Sequence, residues 1–363
     1  MGFFSGQVTI DLGAIQENYK ILDSLSSSAC ETGACVKADA YGLGVSSVAP
    51  ALYEAGNRRF FVATISEAVA VRNVLKDAYV YIFNGFSYAA KEKYKEHGFI
   101  PVLNSLKEIE VYQKFAREEG ENLPAILHFD TGMNRLGMRA QEAKTLCDDL
   151  TRADGIDIHY IMSHFACADE KDHPQNQAQM EAFGNLALSF PHVKKSLCNS
   201  AGILLSKDYH FDLTRPGIAL YGGRPVMEMD NPMRQVVSLS APVLQVYGVQ
   251  KGDNVGYNGT YRFNDNGAVA IVSIGYADGF LRSLSDSGSL YWKGYQMPIR
   301  GRVSMDLVIC DLVNVPENEY PTHGDGAEVI GKSQSIDDLG ADAQTISYEI
   351  LTSLGSRYHR SYI

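Results

Sequence analysis

Short apolar runs rich in β-branched residues alternate with longer segments of helical spacing over about the first 220 residues. This alternation is typical of a parallel sheet whose strands are joined by crossover helices. One helix is marked at both ends, because Ser105 and Glu108 form a capping-box pattern and Gly120 provides a stop signal. Eight runs are predicted to be strands, at residues 34–38, 59–64, 79–84, 99–104, 125–130, 158–164, 193–199 and 211–214.

Eight strands with helices between them predict an α/β fold, a (β/α)8 barrel of the TIM type, which ordinarily takes about 250 residues. After about residue 224 the pattern changes to Val-, Tyr- and Gly-rich alternation with frequent turn pairs, which predicts a mostly-β C-terminal domain. We therefore place a barrel domain at residues 8–230 and a β-rich domain at residues 231–363. The sequence leaves open whether residues 1–7 pack with the second domain.

The composition is that of a folded protein, with 363 residues of which 45% are hydrophobic and 21% charged. A net charge of −11 disfavours binding to nucleic acid or to an anionic membrane surface, so an anionic ligand needs a local pocket. The chain has neither a long apolar run nor a signal-peptide pattern, which predicts a cytoplasmic protein. Six cysteines without paired C-x-x-C spacing are expected to be reduced packing residues.

Polar residues at the carboxyl ends of barrel strands are the first candidates for chemistry, because active sites of such barrels lie there. Lys37 lies inside the first predicted strand, between Val36 and Ala38. If the apolar strand desolvates this lysine, its pKa falls from about 10.4 and the free amine can attack a carbonyl, as a Schiff-base lysine must. The alternative is a surface lysine on an edge strand, and the strand pattern alone favours neither.

Small residues follow the last two predicted strands, at residues 199–202 and 217–218. Loops in this part of a barrel often bind phosphate through backbone N–H groups, and small residues let the backbone approach the ligand. Ser200 adds a hydroxyl donor. Turns of this composition are common, so each loop alone is a weak signal.

Two further groups of polar residues follow the fifth and sixth predicted strands. Arg135 could bind a carboxylate through two hydrogen bonds, and His164 is either a partner of a neighbouring arginine or a structural histidine. A cluster of acidic residues with one histidine follows, but no second ligand group stands at a recognised spacing, so we expect no metal. Its members are Asp169, Glu170, Asp172 and His173.

Six segments resemble, in the same order, the motifs of the alanine racemases. Residues 34–44, Ala-Cys-Val-Lys-Ala-Asp-Ala-Tyr-Gly-Leu-Gly, are similar to that family's pyridoxal-phosphate lysine motif. The resemblance extends from Val8 to Tyr348, over almost the whole chain. The other matching segments are residues 130–137, 163–169, 215–222, 274–279 and 301–306.

The resemblance implies an isomerase that binds pyridoxal 5'-phosphate and interconverts L-alanine and D-alanine, supplying D-alanine for peptidoglycan. Lys37 would form the aldimine with the cofactor and act as one base, and Tyr276 would act as the second base on the opposite face. The implied cofactor contacts are Tyr41, Ser200, Gly217 and Ile218 at the phosphate, Arg215 at the pyridine nitrogen, and His164 behind Arg215. The implied substrate contacts are Arg135, Met305 and Asp306.

The resemblance also implies a homodimer with composite active sites, in which one subunit contributes Tyr276, Met305 and Asp306 to the barrel of its partner. A barrel-type amino-acid decarboxylase would place an acidic residue at the pyridine nitrogen, so Arg215 argues against that class. A non-catalytic pyridoxal-phosphate carrier would have a single domain and leave the β-rich domain without a purpose. Serine or another small amino acid stays open as a substrate, because such differences shift selectivity by only about 1–3 kcal/mol.

Two positions depart from the family pattern. His128 stands where members often carry a lysine modified to a carbamate, whose negative charge would hold Arg135, so something else must position that arginine. Ser356 stands where some members have a phosphate-binding tyrosine. Its hydroxyl could donate the same hydrogen bond, or Ser356 is a plain loop residue.

Overall fold

The computed structural model describes residues 6–363, which divide into two compact units. One unit comprises residues 15–234, and the other comprises the described residues up to Ala14 together with residues 235–363. The first strand, β1 (Gln7–Ile10), belongs to the second of these units. The first helix, α1 (Leu12–Leu25), begins in that unit and continues into the other.

The unit of residues 15–234 is built on short parallel strands connected by helices. Seven strands form one parallel sheet in chain order, from β3 to β9, and β10 pairs with β2. The strands are β2 (Glu31–Thr32), β3 (Ala34–Cys35), β4 (Arg59–Val62), β5 (Tyr79–Ile82), β6 (Ile100–Leu103), β7 (Leu123–His128), β8 (Ile156–Met162), β9 (Lys194–Ser196) and β10 (Leu213–Thr214).

Backbone hydrogen bonds on both sides of β10 close this sheet into a barrel. On one side, Asp212 N–H donates to Lys195 O at 3.0 Å and Arg215 N–H donates to Cys198 O at 3.0 Å. On the other side, Gly33 N–H donates to Thr214 O at 2.9 Å. The short strands β2 and β3 together occupy one strand position, so the predicted (β/α)8 barrel is confirmed.

Helices cover the barrel strands, and their ends follow from local sequence. Ser105 caps α6, its Oγ accepting a hydrogen bond from Glu108 N–H at 3.2 Å, and Gly120 ends the helix with a left-handed φ of 73°. The Glu108 side chain bonds to the N–H of Asn104 rather than to that of Ser105, which differs by one residue from an ordinary capping box. The helices are α2 (Lys37–Tyr41), α3 (Val45–Glu54), α4 (Ile65–Val74), α5 (Lys91–His97), α6 (Leu106–Glu119), α7 (Ala140–Asp148), α8 (Pro174–Ala187) and α9 (Ser200–Leu205).

Most barrel strands have an apolar, buried centre, as parallel strands covered by helices require, whereas β9 is polar and partly exposed. Every residue of β6 is buried, and Phe60, Phe61 and Val62 of β4 are fully buried. This core leaves polar side chains at the strand ends as the places where chemistry can occur.

The other unit is mostly β, as the sequence predicts. Its longest strand, β11, pairs with β1, β14 and β18, and the main sheet has the order β16-β15-β18-β11-β1-β19. The elements are β11 (Val237–Val249), β12 (Asn254–Val255), β13 (Tyr261–Arg262), β14 (Gly267–Val272), β15 (Ser289–Trp292), β16 (Tyr295–Pro298), β17 (Val308–Asp311), β18 (Gly326–Ile330), α10 (Ile336–Asp342), α11 (Ser347–Thr352) and β19 (His359–Tyr362).

The first residues of the chain lie in this β-rich unit and not at the start of the barrel. Val8 of β1 is paired with Leu239 of β11 and with Arg360 of β19. Residues 8–14, predicted to open the barrel domain, therefore belong to the β-rich unit, because the hydrogen bonds of β1 are made with β11 and β19 and not with a barrel strand. Of residues 1–7, Gly6 accepts a backbone hydrogen bond from His359 N–H at 2.9 Å and Gln7 pairs with Ser240, while residues 1–5 lie outside the described residues.

Within residues 6–363, all six cysteines are free thiols; Cys30, Cys35, Cys198 and Cys310 are buried. In the same range, no helix combines the length and the apolar character that crossing a membrane would require.

Candidate active site

Lys37 lies at the carboxyl end of the first barrel strand position, at the start of a left-handed turn. The strand ends at Cys35, so Lys37 lies beyond the strand and not within it as predicted, and its side chain is half-buried. The next four residues, Ala38 to Tyr41, all have φ between 53° and 55°. Such a conformation costs roughly 1–2 kcal/mol per residue for L-amino acids, so the surrounding structure must hold it in place.

Hydrogen bonds hold the left-handed turn at both ends. Ala40 N–H donates to Val36 O at 2.9 Å, and Gly42 N–H donates to Ala38 O at 2.7 Å. Two carboxylates contribute as well, because Glu67 accepts from Ala38 N–H at 2.8 Å and Asp39 accepts from Val45 N–H at 2.7 Å. The turn therefore fixes Lys37 and Tyr41 relative to each other.

Tyr41 lies against the loop that follows the last barrel strand. The Gly217 backbone is so close to the Tyr41 hydroxyl that a Cβ at position 217 would overlap it. Ser200 Oγ accepts hydrogen bonds from Gly217 N–H at 2.8 Å and from Ala219 N–H at 3.3 Å. Backbone N–H groups and hydroxyl groups thus converge where the sequence predicts a phosphate site, with Ile218 as the intervening residue of the same loop.

Arg215 is a fully buried cation, with only 1% of its surface exposed. Its Nη2 donates to Ser163 O at 2.7 Å and lies 3.4 Å from His164 Nδ1, and its Nη1 donates to Ser196 Oγ. Burial lowers the pKa of Arg215 to about 10, still well above neutral pH. Within residues 6–363 it forms no ion pair with a carboxylate.

The Nε of Arg215 is buried and has no hydrogen-bond partner within the described residues. Leaving a buried donor unpaired costs about 1–3 kcal/mol, and more for a charged group. An acceptor from a bound molecule would remove that cost. The ring nitrogen of an aromatic cofactor is an acceptor of this kind, so the residues present fit such a group.

Cationic side chains surround two neutral histidines in this part of the barrel. Burial, and then the charges of Arg215, Arg135, His128 and Lys37, hold the pKa of His164 well below its usual range. Burial and Arg215 likewise lower the pKa of His128 to about 3. This end of the barrel is therefore locally positive although the chain carries a net charge of −11, and it suits an anionic ligand.

The hydrogen bonds of Asn104 fix the proton position on His128. Asn104 Nδ2 donates to Phe83 O at 3.1 Å and to Val102 O at 2.7 Å, so its Oδ1 faces His128 Nδ1 at 2.8 Å. Because an amide oxygen only accepts, His128 Nδ1 carries the proton and the Nε2 of the neutral ring is an acceptor. Nothing in the sequence pattern had singled out Asn104.

Arg135 is exposed and makes no hydrogen bond or ion pair within residues 6–363. Its loop is nevertheless ordered, because Asp130 Oδ1 accepts hydrogen bonds from Gly132, Met133 and Asn134 N–H at 2.9–3.0 Å. The loop thus carries a guanidinium group that is available for a ligand carboxylate.

The remaining predicted residues lie in the β-rich unit, where the structure brings Tyr276, Met305 and Asp306 together. Tyr276 N–H donates to Ser304 O at 3.1 Å, and Ala277 N–H donates to Met305 O at 3.0 Å. The Tyr276 and Met305 side chains are 44% and 52% exposed, so both are accessible to a ligand or a partner.

Ser356 is exposed and is followed by Arg357, whose Nη1 donates to Asp306 Oδ1 at 2.8 Å. Arg357 also pairs with the fully buried Asp278. Sequence reasoning missed Arg357 and Asp278 as parts of this group. No pattern in the sequence singled out Arg357, and Asp278 was included only as a residue of the matching segment 274–279.

The comparisons with known proteins agree with this fold. The structure by itself defines a protein of two units with a (β/α)8 barrel, a lysine at a strand end and a buried arginine nearby. The family descriptions "Alanine racemase, N-terminal domain" and "Alanine racemase, C-terminal domain" match residues 10–225 and 236–362. The chain belongs to the alanine racemase family, a family of isomerases, and the resemblance inferred from the six motifs is confirmed.

The similar proteins match over nearly their full length. "Alanine racemase, catabolic" of Agrobacterium fabrum is 46% identical over 363 residues, covering 100% of this chain and 93% of the relative. Alanine racemase of Rhizobium meliloti is 42% identical, covering 99% and 97%. A crystal structure of alanine racemase from Bartonella henselae with covalently bound pyridoxal phosphate is 41% identical, covers 99% of both chains and has a TM-score of 0.94.

The histidine pKa values predict how stability depends on pH. Below pH 6.5 the unfolded chain takes up a proton at position 128 that the folded protein, with a pKa of about 3, does not, so stability falls as pH falls. Because of this proton uptake, the free energy of unfolding should fall by about 2 kcal/mol between pH 7 and pH 5. The lowered pKa of His164 changes stability in the same direction. The variant His128→Gln keeps an amide that can donate to Asn104. We expect its free energy of unfolding, measured with urea at pH 7, 6 and 5, to fall less steeply with falling pH than that of wild type.

The exposed His192 provides the matched control, as His192→Gln should keep the wild-type slope. Equal slopes for wild type and His128→Gln would contradict the buried, neutral state of His128.

Proposed function

We propose that this protein is a pyridoxal 5'-phosphate-dependent alanine racemase, an isomerase that interconverts L-alanine and D-alanine. The observation that carries the proposal is the buried Arg215, whose Nε lacks an acceptor within residues 6–363. A lysine at a strand end and a group of backbone and hydroxyl donors lie in the same barrel. These are the groups that an aromatic aldehyde with a phosphate tail needs.

Each part of the cofactor has a candidate partner in the barrel unit of residues 15–234, which we propose as the cofactor-binding domain. Lys37 provides the amine for the covalent link, and Arg215 Nε the donor for the pyridine nitrogen. The phosphate would be held by Tyr41, Ser200, Gly217 and Ile218, with Ser356 as either a further donor or a plain loop residue. His164, 3.4 Å from Arg215 Nη2, supports that arginine from behind.

Two bases are proposed because racemisation removes a proton from one face of Cα and returns a proton to the other. When bound, pyridoxal phosphate supplies an electron sink that stabilises negative charge at the substrate Cα. The Lys37 amine takes or gives the proton on one face, and the Tyr276 hydroxyl does so on the opposite face. Arg215 favours this outcome over decarboxylation, because a guanidinium donor leaves the pyridine nitrogen unprotonated and weakens the sink.

The substrate carboxylate would be bound by Arg135, whose guanidinium has no partner of its own within the described residues. Neutral His128 presents an acceptor nitrogen in the same region where members of the family often have an anionic carbamate. Met305 and Asp306 would complete the substrate site from the β-rich unit. Alanine rather than a larger amino acid is the substrate that the relatives' names support.

Exchange of the substrate Cα proton with deuterium oxide tests the two bases separately. Because enantiomers have equal free energy, kcat/KM must stay equal in the two directions, so rates alone cannot assign a face to each base. We expect Tyr276→Phe to lose racemisation by about 100-fold or more, yet still exchange the Cα proton of D-alanine through Lys37. Lys37→Ala should lose both activities, together with the borohydride-trapped cofactor adduct that mass spectrometry finds at Lys37 in wild type.

Tyr257→Phe, at another exposed tyrosine of the same unit, should behave as wild type. Full racemase activity of Tyr276→Phe would contradict the second base, and a wild-type protein that binds no aldehyde would contradict the function.

We propose that the active unit is a homodimer with composite sites, in which Tyr276, Met305 and Asp306 of one subunit serve Lys37 of the other. Tyr276, Met305 and Leu307 expose apolar surface on neighbouring loops, which a partner subunit would cover. A site completed across a two-fold axis makes each subunit dependent on the other.

A heterodimer of two inactive subunits tests this arrangement. Lys37→Ala and Tyr276→Phe subunits with different affinity tags are co-expressed and purified through both tags. One of the two sites then combines an intact Lys37 with an intact Tyr276, so about half of wild-type activity per dimer is expected. A homodimer of differently tagged Lys37→Ala subunits is the control. An inactive heterodimer would mean that each site takes both residues from one chain.

The physiological role is proposed to be the supply of D-alanine for peptidoglycan in the cytoplasm, where six free thiols would stay reduced. A catabolic role is the alternative, favoured by the name of the 46% identical relative. Deleting the gene separates the two roles. Growth that then depends on added D-alanine supports the biosynthetic role, whereas loss of growth only on alanine as carbon source supports the catabolic one.

A further inference from the structure

Asp278 is a buried carboxylate within the loop that carries Tyr276. One of its oxygens accepts a hydrogen bond, whereas the other has an ion-pair contact but no hydrogen-bond partner within the described residues. Asp278 has no exposed surface. Its Oδ2 accepts a hydrogen bond from Gly275 N–H at 2.9 Å, and its Oδ1 lies 3.2 Å from Arg357 Nε. A buried carboxylate without a cation is strongly destabilising, so Arg357 is required for this loop to keep its charge inside.

The same guanidinium reaches a second loop. Arg357 Nη1 donates to Asp306 Oδ1 at 2.8 Å, so one arginine joins the loop at residues 275–279 to the loop at residues 304–306. The two loops also touch directly, through the backbone bonds of Tyr276 and Ala277 to Ser304 and Met305. A Cβ at Gly275 would overlap the Met305 carbonyl, so the two loops are in close backbone contact.

The backbone fixes where Arg357 stands. Gly355 N–H donates to Asp278 O at 3.0 Å, and the Ser353 carbonyl lies where a Cβ of Gly279 would be. Gly279 has a φ of +86°, a conformation that favours glycine. The segment at residues 353–357 is thus packed on the Tyr276 loop, so the backbone that carries the Arg357 side chain has a fixed position.

We infer that Arg357 is a positioning residue that sets the spacing between the Tyr276 loop and the Asp306 loop; this inference rests on the function proposed above. Its planar fork holds two carboxylates at once, which a lysine does not reproduce. It also offsets the charge of Asp306, so that this loop can face a substrate that carries a carboxylate itself. Loss of the fork should therefore lower kcat through Tyr276 and raise KM through Asp306.

A merely structural role of Arg357 can be distinguished from a positioning role by removing the buried charge of Asp278 together with the arginine. Arg357→Met leaves Asp278 unpaired, so the Tm should fall. The double variant Asp278→Asn/Arg357→Met removes the unpaired charge while an amide oxygen can still accept from Gly275, so the Tm should recover. We expect kcat/KM to stay about tenfold or more below wild type in both variants, with a change in kcat and in KM. Arg357→Lys should recover the Tm but only part of kcat/KM.

Hydrogen–deuterium exchange gives a readout that does not depend on catalysis. Peptides covering residues 275–279 and 304–307 should exchange faster in the double variant than in wild type. Arg262→Met is the control, because Arg262 Nε bonds only to the Gly252 carbonyl in the same unit, and it should keep wild-type activity and exchange.

Each outcome decides the inference. Wild-type kcat/KM in Arg357→Met, or recovery of kcat/KM together with the Tm in the double variant, would overturn the positioning role while leaving the racemase function intact. An inactive wild-type protein would overturn the proposed function and this inference with it.

Discussion

A cation that is buried in the barrel without a carboxylate partner among residues 6–363 is the constraint on which the site depends. Arg215 is held by carbonyl and hydroxyl oxygens, and burial lowers its pKa only to about 10, so it stays charged. The two histidines near it are kept neutral by burial and by the same positive surroundings. An acidic protein can in this way keep a positive interior at one end of its barrel, where an anionic ligand gains from local charge rather than from the field of the whole molecule.

Backbone geometry fixes the positions of the side chains near this charge. Four consecutive residues in the left-handed region turn the chain sharply after Lys37, and the hydroxyl of Tyr41 lies against Gly217, where a Cβ would overlap it. The strain of the turn is offset by hydrogen bonds that backbone N–H groups donate to the carboxylates of Glu67 and Asp39. Strain of this kind often persists at functional sites, because it fixes groups that a relaxed chain would let move.

Membership of the alanine racemase family is compatible with a local change in electrostatics at position 128. A carbamate is an anion that attracts an arginine, whereas His128 is neutral and offers one lone pair whose direction is set by Asn104. In the β-rich unit the charges are arranged differently, since Arg357 neutralises one buried and one exposed carboxylate on two loops. The residues proposed for catalysis are thus surrounded by a different arrangement of charges in each unit.

The sequence by itself determined the alternation of strands and helices, the β-rich second domain, the Ser105 cap and the family, because these depend on patterns between near neighbours and on ordered motifs. Only the tertiary structure decided that Lys37 begins a left-handed turn, that β1 joins the sheet of the β-rich unit, that Asn104 orients His128, and that Arg357 joins Asp278 to Asp306. These features arise from contacts between residues far apart in the chain, or from a backbone conformation that local preferences oppose. No periodicity or spacing in the sequence records them.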